Sequence, residues 1–373
     1  MTAREKTKRL VALDAFRGIT ILFMIIVNTP GTWEHVWPPL EHSPWHGCTP
    51  TDLVFPYFLF IVGVAMWFSF RKYGHRLNGG ALWRITRRVA GIFLLGLLLN
   101  ALAADLDWSH LRIPGVLQRI ALTYGLAAFL VLLIPRGWRW AVAALILLGY
   151  WGVLLYFGGD HPFDLMTNVV RRVDLSLLGP AHMYHGFPLN SADKVAFDPE
   201  GLLSTLPATV NVIIGYQMGE MIGNSKDHFK TSLALLVFGI LGIGMGLLWD
   251  LYFPINKPLW SSSYVLFTSG WASLWLGIML WAVDVKGWTK PALPLVAAGM
   301  NPLFLYVLAG LWTYTMLRVS VGDTSLYAWI YQHLFVSWLG NTNFASFMFA
   351  FTDSLLFCLI GCAMYKKKIF IKI

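Results

Sequence analysis

Charge and cysteine are both scarce in this sequence. Only 13% of its 373 residues are Asp, Glu, Lys or Arg, too few to clothe a soluble protein of this size. Three cysteines (Cys48, Cys358 and Cys362) offer no disulfide framework and no CxxC zinc site. Cys358 and Cys362 share a helix face, where two thiols are poorly placed to bridge. No Walker loop or dinucleotide fingerprint occurs, so nothing points to a nucleoside triphosphate or NAD. No cleavable signal pattern is present either: Asp14 and Arg17 precede the first apolar run, and no small-residue cleavage site follows, so that run is expected to be a first span. A long internal repeat is also missing, and with it any direct sign of an inverted-repeat transporter.

What the chain has in abundance is apolar surface. Hydrophobic residues make up 57% of it, 18 residues are Trp, and runs of roughly 20 apolar residues recur, the length a bilayer requires. The expected fold is an all-α polytopic membrane protein forming one transmembrane domain over 1–373. Ten spans are expected near 13–29, 53–70, 86–104, 115–134, 139–157, 205–222, 231–252, 263–283, 294–317 and 344–364. The basic segments MTAREKTKR, RKYGHRLNGGALWRITRR, PRGWR, NSKDHFK, VKGWTK and KKKIFIKI then alternate with segments poorer in Lys and Arg, which places both termini in the cytoplasm. The net charge of +9 follows from that orientation and does not indicate nucleic acid. One outer loop, about 158–204, carries Arg171 and Arg172, but long loops weigh little in the charge rule. Residues 326–340 are apolar but short and contain Gln332 and His333; they are expected to lie at the interface or to re-enter.

The other outer loop, about 30–52, is the richest in chemistry. The segment 28-NTPGTWEHVWPPLEHSPWHGCTPTDLVFP-56 holds His35, His42 and His46 with Glu34, Glu41 and Asp52, and contains no Lys or Arg. Histidine suits proton transfer near neutrality. Its spacings match no closed zinc pattern, and no metal is expected. Asn28 either caps the end of the first span or turns its amide to a developing negative charge. His42 is either a solvated loop residue or a proton-transfer group.

Several spans carry groups that hydrocarbon disfavours. Asp14 and Arg17, three apart, suit an ion pair at a helix end. Gln118 and Arg119 lie inside an apolar run, with Arg112 on the same face as Arg119. The two arginines either pair with a buried acid such as Asp52 or Asp250 or face a wet cavity. GMNP at 299–302 puts Asn301 beside a helix-breaking proline, as a kink or as part of a cavity wall. Arg71, Lys72, Arg76, Arg84, Arg87 and Arg88 gather around the third span; orientation alone accounts for them, and they would also suit a phosphorylated ligand.

Six segments in order resemble one family, the transmembrane N-acetyltransferases typified by heparan-α-glucosaminide N-acetyltransferase. They are LDAFRGITILFMIIVN (13–28), HSPWHGCTPTDLVFPYFLFIVG (42–63), LRIPGVLQRIALTY (111–124), FDPEGLLST (197–205), INKPLWSSSYV (255–265) and GMNPLFLYV (299–307). The resemblance runs from about residue 10 to the carboxyl end, without the large amino-terminal lumenal region of the animal enzyme. It implies transfer of an acetyl group from cytosolic acetyl-CoA, across the membrane, to the amino group of a glucosamine-type sugar. The family's essential histidine matches His42, followed by Trp45, Gly47, Thr49 and Asp52, and its helper asparagine matches Asn28. On this reading Arg84, Arg87 and Arg88 hold the CoA phosphates, while Arg119 and Asn301 line the path of the pantetheine arm. Asp52, Asp198 and Glu200 are expected to bind sugar hydroxyls. A bacterial inner-membrane location and a possible homo-oligomer complete the expectation, and an amino-sugar transporter is the alternative.

Overall fold

The computed structural model describes residues 10–189 and 192–371; the basic segment MTAREKTKR and the last two residues of the tail lie outside them. Fourteen α-helical segments are found there. The first seven are α1 (Val11–Asn28), α2 (Val54–Phe70), α3 (Gly79–Ala103), α4 (Val116–Leu133), α5 (Arg139–Phe157), α6 (Val169–Leu178) and α7 (Thr205–Asn224). The second seven are α8 (His228–Asp250), α9 (Ser262–Met279), α10 (Thr289–Gly299), α11 (Pro302–Arg318), α12 (Leu326–Tyr331), α13 (Ser337–Leu339) and α14 (Asn343–Lys366). The described strands form a single two-residue hairpin, Ser320–Val321 against Thr324–Ser325. The chain is an all-α polytopic membrane protein.

Among the described residues eight helices are long and apolar enough to cross a bilayer, or nine if the pair α10 and α11, bent by 63°, is one span. Ten were expected from sequence, and α7 is the expected span that is less apolar than the others. Its 20 residues are long enough, at about 30 Å. Of the residues from Thr205 to Gly219, all but Leu206 are buried against neighbouring helices. A helix enclosed by protein has no lipid to face, so it can carry Thr209, Asn211 and Gln217. Asn211 uses the privilege: its Nδ2 donates to Ser269 Oγ at 2.9 Å, and its Oδ1 accepts from Trp260 Nε1 at 2.9 Å.

Glycine permits the closest helix contacts. A Cβ on Gly63 of α2 would sit 2.0 Å from Val212 O, and one on Gly215 of α7 would sit 2.1 Å from Phe60 O, so the two backbones touch. The ends of the helices sort into two groups by their hydrogen bonds. At one end the Ala12 amide donates to Asp284 at 2.9 Å, Arg139 to Glu220 at 3.2 Å, and Asn301 to the tail carbonyl of Ile369 at 3.0 Å. At the other, Gly31 joins Ser346 and Arg318 pairs with Asp105. Leu10 and Ile371, the outermost described residues, therefore both lie at the end marked by Arg17, Arg84 and Arg88, called here the basic end.

The opposite end carries a cap made from three loops. Trp45 packs edge-on against both Phe187 and Phe197 and donates its Nε1 to Phe163 O at 2.9 Å, joining the 30–52 loop to the 158–204 region. Gly47, at φ +101° where only glycine is comfortable, donates to Ile255 O at 2.7 Å and brings in the turn before α9. Residues 326–340 form a short, irregular helical stretch packed on α14, with Tyr327 donating to Pro30 O at 2.7 Å.

Candidate active site

A proline and a capping box set the local geometry around His42. Thr49 precedes Pro50 at the start of the 3-10 turn Pro50–Leu53, and Asp52 reaches back to the Thr49 amide at 3.1 Å. The same Oδ2 accepts from the Ser43 amide at 3.0 Å, so Asp52 ties residue 43 to residue 49 and holds the loop between them closed. Its other oxygen lies 2.7 Å from His42 Nδ1. Asp52 is 1% exposed, an aligned carboxylate whose partners are all satisfied. Placing the imidazole proton on Nδ1 toward that carboxylate leaves the Nε2 lone pair for chemistry, the usual arrangement of a histidine base.

Next to the ring lies a cation. Lys257 Nζ is 3.0 Å from His42 Nδ1, 3.4 Å from Nε2 and 3.4 Å from Asp52 Oδ1. No local sequence signal marks Lys257. It stands in the quoted segment INKPLWSSSYV, but nothing in one dimension sets it beside a loop more than 200 residues away. His46 turns elsewhere, its Nδ1 being 3.3 Å from Asn256 Nδ2, and His35 borders a separate small recess beside Trp37. No cluster of three or more His, Cys, Asp or Glu suited to a metal occurs among the described residues.

His42 opens onto a cavity of about 540 Å³ that runs along α1, α2, α3 and α4. Asn28, Glu200 and Lys257 share its wall at the capped end; Arg17, Ser69, Arg84, Arg88 and Ile371 share it at the basic end. Arg17 and Asn28 are both on α1, about 16 Å apart along the axis, so the cavity spans much of the bundle. Its middle is apolar, with Ile21, Phe55, Phe58, Ile61, Leu117 and Leu303 among the lining residues. Asn28 is exposed to it and makes no side-chain hydrogen bond among the described residues, which leaves its amide available. Arg17 pairs with Asp14 at 3.2 Å, as a helix-end pair should.

Other expected residues sit apart from this cavity. Arg87 is exposed on the outside of α3, whereas Arg84, three positions before it, and Arg88, one position after, turn inward; Arg88 lies over the Tyr124 ring at 4.7 Å. Arg119 is fully buried elsewhere, donating to Gly201 O at 2.9 Å and to Ser204, with its guanidinium 4.9 Å from the centre of the Trp260 ring. Asn301 is also fully buried and ties down the tail: it donates to Ile369 O, and its Oδ1 accepts from the Ile371 amide at 2.8 Å. That clamp is what puts Ile371 in the cavity wall. Asp198 is buried in a two-pronged pair with Arg112, at 2.8 and 2.7 Å, and Glu200 completes the cluster from the cavity side. The turn that bears both acids rests on Asp174, which accepts from the Leu202 amide at 2.9 Å; burial pushes the Asp174 carboxyl up to about 6.

Residues 9–172 match the family model described as "Heparan-alpha-glucosaminide N-acetyltransferase, catalytic". The mouse heparan-α-glucosaminide N-acetyltransferase is 29% identical in an alignment that takes in 100% of this chain and 62% of that protein. The human enzyme of the same name is 30% identical over 80% of this chain and 52% of its own length. The chain belongs to this family. It spans only a little over half the length of these two relatives. The matched region contains Asn28, His42, Asp52, Arg84 and Arg88, while Lys257 falls beyond it, within the stretch aligned with the mouse protein.

Proposed function

We propose that the protein transfers an acetyl group from acetyl-CoA, bound at the basic end of the cavity, to the amino group of a glucosamine-type sugar arriving at His42. The observation that carries this reading is the single cavity with guanidinium groups at one end and a histidine base at the other. Arg84 and Arg88 suit phosphate oxygens, since guanidinium forks match their geometry. The apolar middle suits a long, thin acyl carrier, so only the acetyl group need reach the far end. His42 Nε2 takes the proton of the attacking amine, and Asn28 donates to the acyl oxygen. The names of the mouse and human relatives supply the reaction and the sugar class.

If the arginine-rich end faces the cytoplasm, as the positive-inside rule directs, donor and acceptor approach from opposite sides. The setting we propose is a bacterial inner membrane. The test is to incubate detergent-purified protein with isotopically labelled acetyl-CoA and a panel of amino sugars, then analyse the products by mass spectrometry. A labelled N-acetyl sugar is expected. Ligand-dependent stabilisation by an amino sugar with no acetylated product would favour transport instead.

The two faces of α3 allow a sharper check on the donor end. Arg88→Gln should raise the KM for acetyl-CoA by about tenfold, the scale of one charge-assisted contact, with the acceptor KM little changed. Arg87→Gln, on the exposed face, should leave both constants near wild type. Equal effects from the two substitutions in steady-state kinetics would mean that the phosphates bind outside the cavity.

A further inference from the structure

The geometry points to Lys257 as a further catalytic residue, its ammonium group meeting the negative charge that develops on the acyl oxygen and the departing sulfur beside His42. This inference rests on the acetyl-transfer reading above. Lys257 lines the cavity, its side chain is 15% exposed, and its Nζ lies within 3.4 Å of both ring nitrogens of His42. Any atom that receives a nucleophile under the control of His42 Nε2 is therefore within close range of a full positive charge.

The ion pair with Asp52 accounts for only part of this placement. Asp52 already accepts from two backbone amides through Oδ2 and lies 2.7 Å from His42 through Oδ1. Lys257 stands closer to His42, at 3.0 Å, than to Asp52, at 3.4 Å, so it is not placed for the best ion pair. With the Nδ1 proton directed at Asp52, that nitrogen cannot also accept from Lys257. An ammonium has three donors, and the protein leaves at least one of them for a ligand.

The backbone on either side is built to hold it there. The Ile255 carbonyl accepts from Gly47, and fully buried Asn256 accepts from the Leu259 amide at 2.6 Å while its own amide donates to Ser261 Oγ at 3.0 Å. The turn is thus rigid on both sides of residue 257, as a preorganised electrostatic group requires.

In the transfer the amine nitrogen attacks the thioester carbon, forming the C–N bond and moving the carbonyl pair onto oxygen. His42 Nε2 takes the proton from nitrogen. Collapse re-forms the carbonyl and breaks the C–S bond; the thiolate regains its proton from the imidazolium, giving the amide and free CoA. Negative charge passes from oxygen to sulfur, and Asn28 offers only a neutral amide to it, whereas Lys257 offers a charge.

The test uses the full-length protein in detergent, with Lys257→Met, Lys257→Gln and Lys257→Arg assayed at saturating acetyl-CoA and acceptor. Lys257→Met and Lys257→Gln should lower kcat at least about a hundredfold, the scale of removing one oxyanion donor, with the KM for acetyl-CoA within about threefold of wild type. Lys257→Arg, which keeps the charge, should recover at least about tenfold of that loss. Retained binding of a non-transferable thioether analogue of acetyl-CoA marks the variants as folded. A kcat near wild type in Lys257→Met or Lys257→Gln, or a loss in Lys257→Arg equal to theirs, overturns the assignment. If the wild-type protein acetylates no acceptor at all, the acetyl-transfer reading fails first and the role of Lys257 falls with it.

Discussion

Replacing His42 by alanine should lower acetyl transfer at least about a hundredfold, the usual contribution of a positioned acid–base group, while the protein stays folded. The loop does not depend on the imidazole. Asp52 keeps its bonds to the Ser43 and Thr49 amides, and Lys257, 3.4 Å away, still balances its charge. What disappears is the nitrogen that accepts the amine proton. His35→Ala and His46→Ala should cost far less, because neither ring meets His42 or Lys257. Initial rates with labelled acetyl-CoA, normalised to monodisperse protein, decide the matter. Near-normal turnover in His42→Ala would remove this residue from the chemistry.

Arg112→Met should lower stability by about 3–5 kcal/mol, read as a large fall in the thermal unfolding midpoint of the purified protein. The reason is the state of the acids left behind. The Asp198 side chain is 0% exposed and that of Glu200 9%, and Arg112 supplies the cation to both. Methionine replaces the bulk of the arginine stem but leaves two carboxylates facing each other without it. Arg318→Met breaks the other described Arg–Asp pair near the cap, but Asp105 and Arg318 are both solvent-exposed, so that midpoint should hardly move. Equal midpoints for Arg112→Met and Arg318→Met would show that the Arg112 cluster is solvated rather than buried.

Much of the architecture was legible in one dimension because the bilayer imposes a strong rule. Long apolar runs and the alternation of basic loops marked nearly every helix, and only α7 departs from the apolarity that a span should show. It departs because protein, not lipid, surrounds it. The loop around His42 stood out equally, since its three histidines and its lack of Lys and Arg are local features, whereas the capping box that closes it came with the structure. The inward and outward faces of α3 were not separated by a run of arginines, yet Arg87 and Arg88 differ by one position and point to different surroundings.

Sequence by itself determined the membrane class and the family, and it singled out Asn28 and the His42 loop as candidates for chemistry, because periodicity, charge bias and short motifs depend on neighbours along the chain. Tertiary structure alone decided which polar groups share a wall. It set Lys257 against His42, joined Arg112 to Asp198 and Glu200, and used Asn301 to clamp the tail so that Ile371 lines the basic end of the cavity. Those contacts link residues 68 to 215 positions apart. Partners at such separations are selected by helix packing, and the close approach of Gly63 and Gly215 at the α2–α7 contact shows how far that packing rests on backbone contact rather than on any pattern readable along one helix.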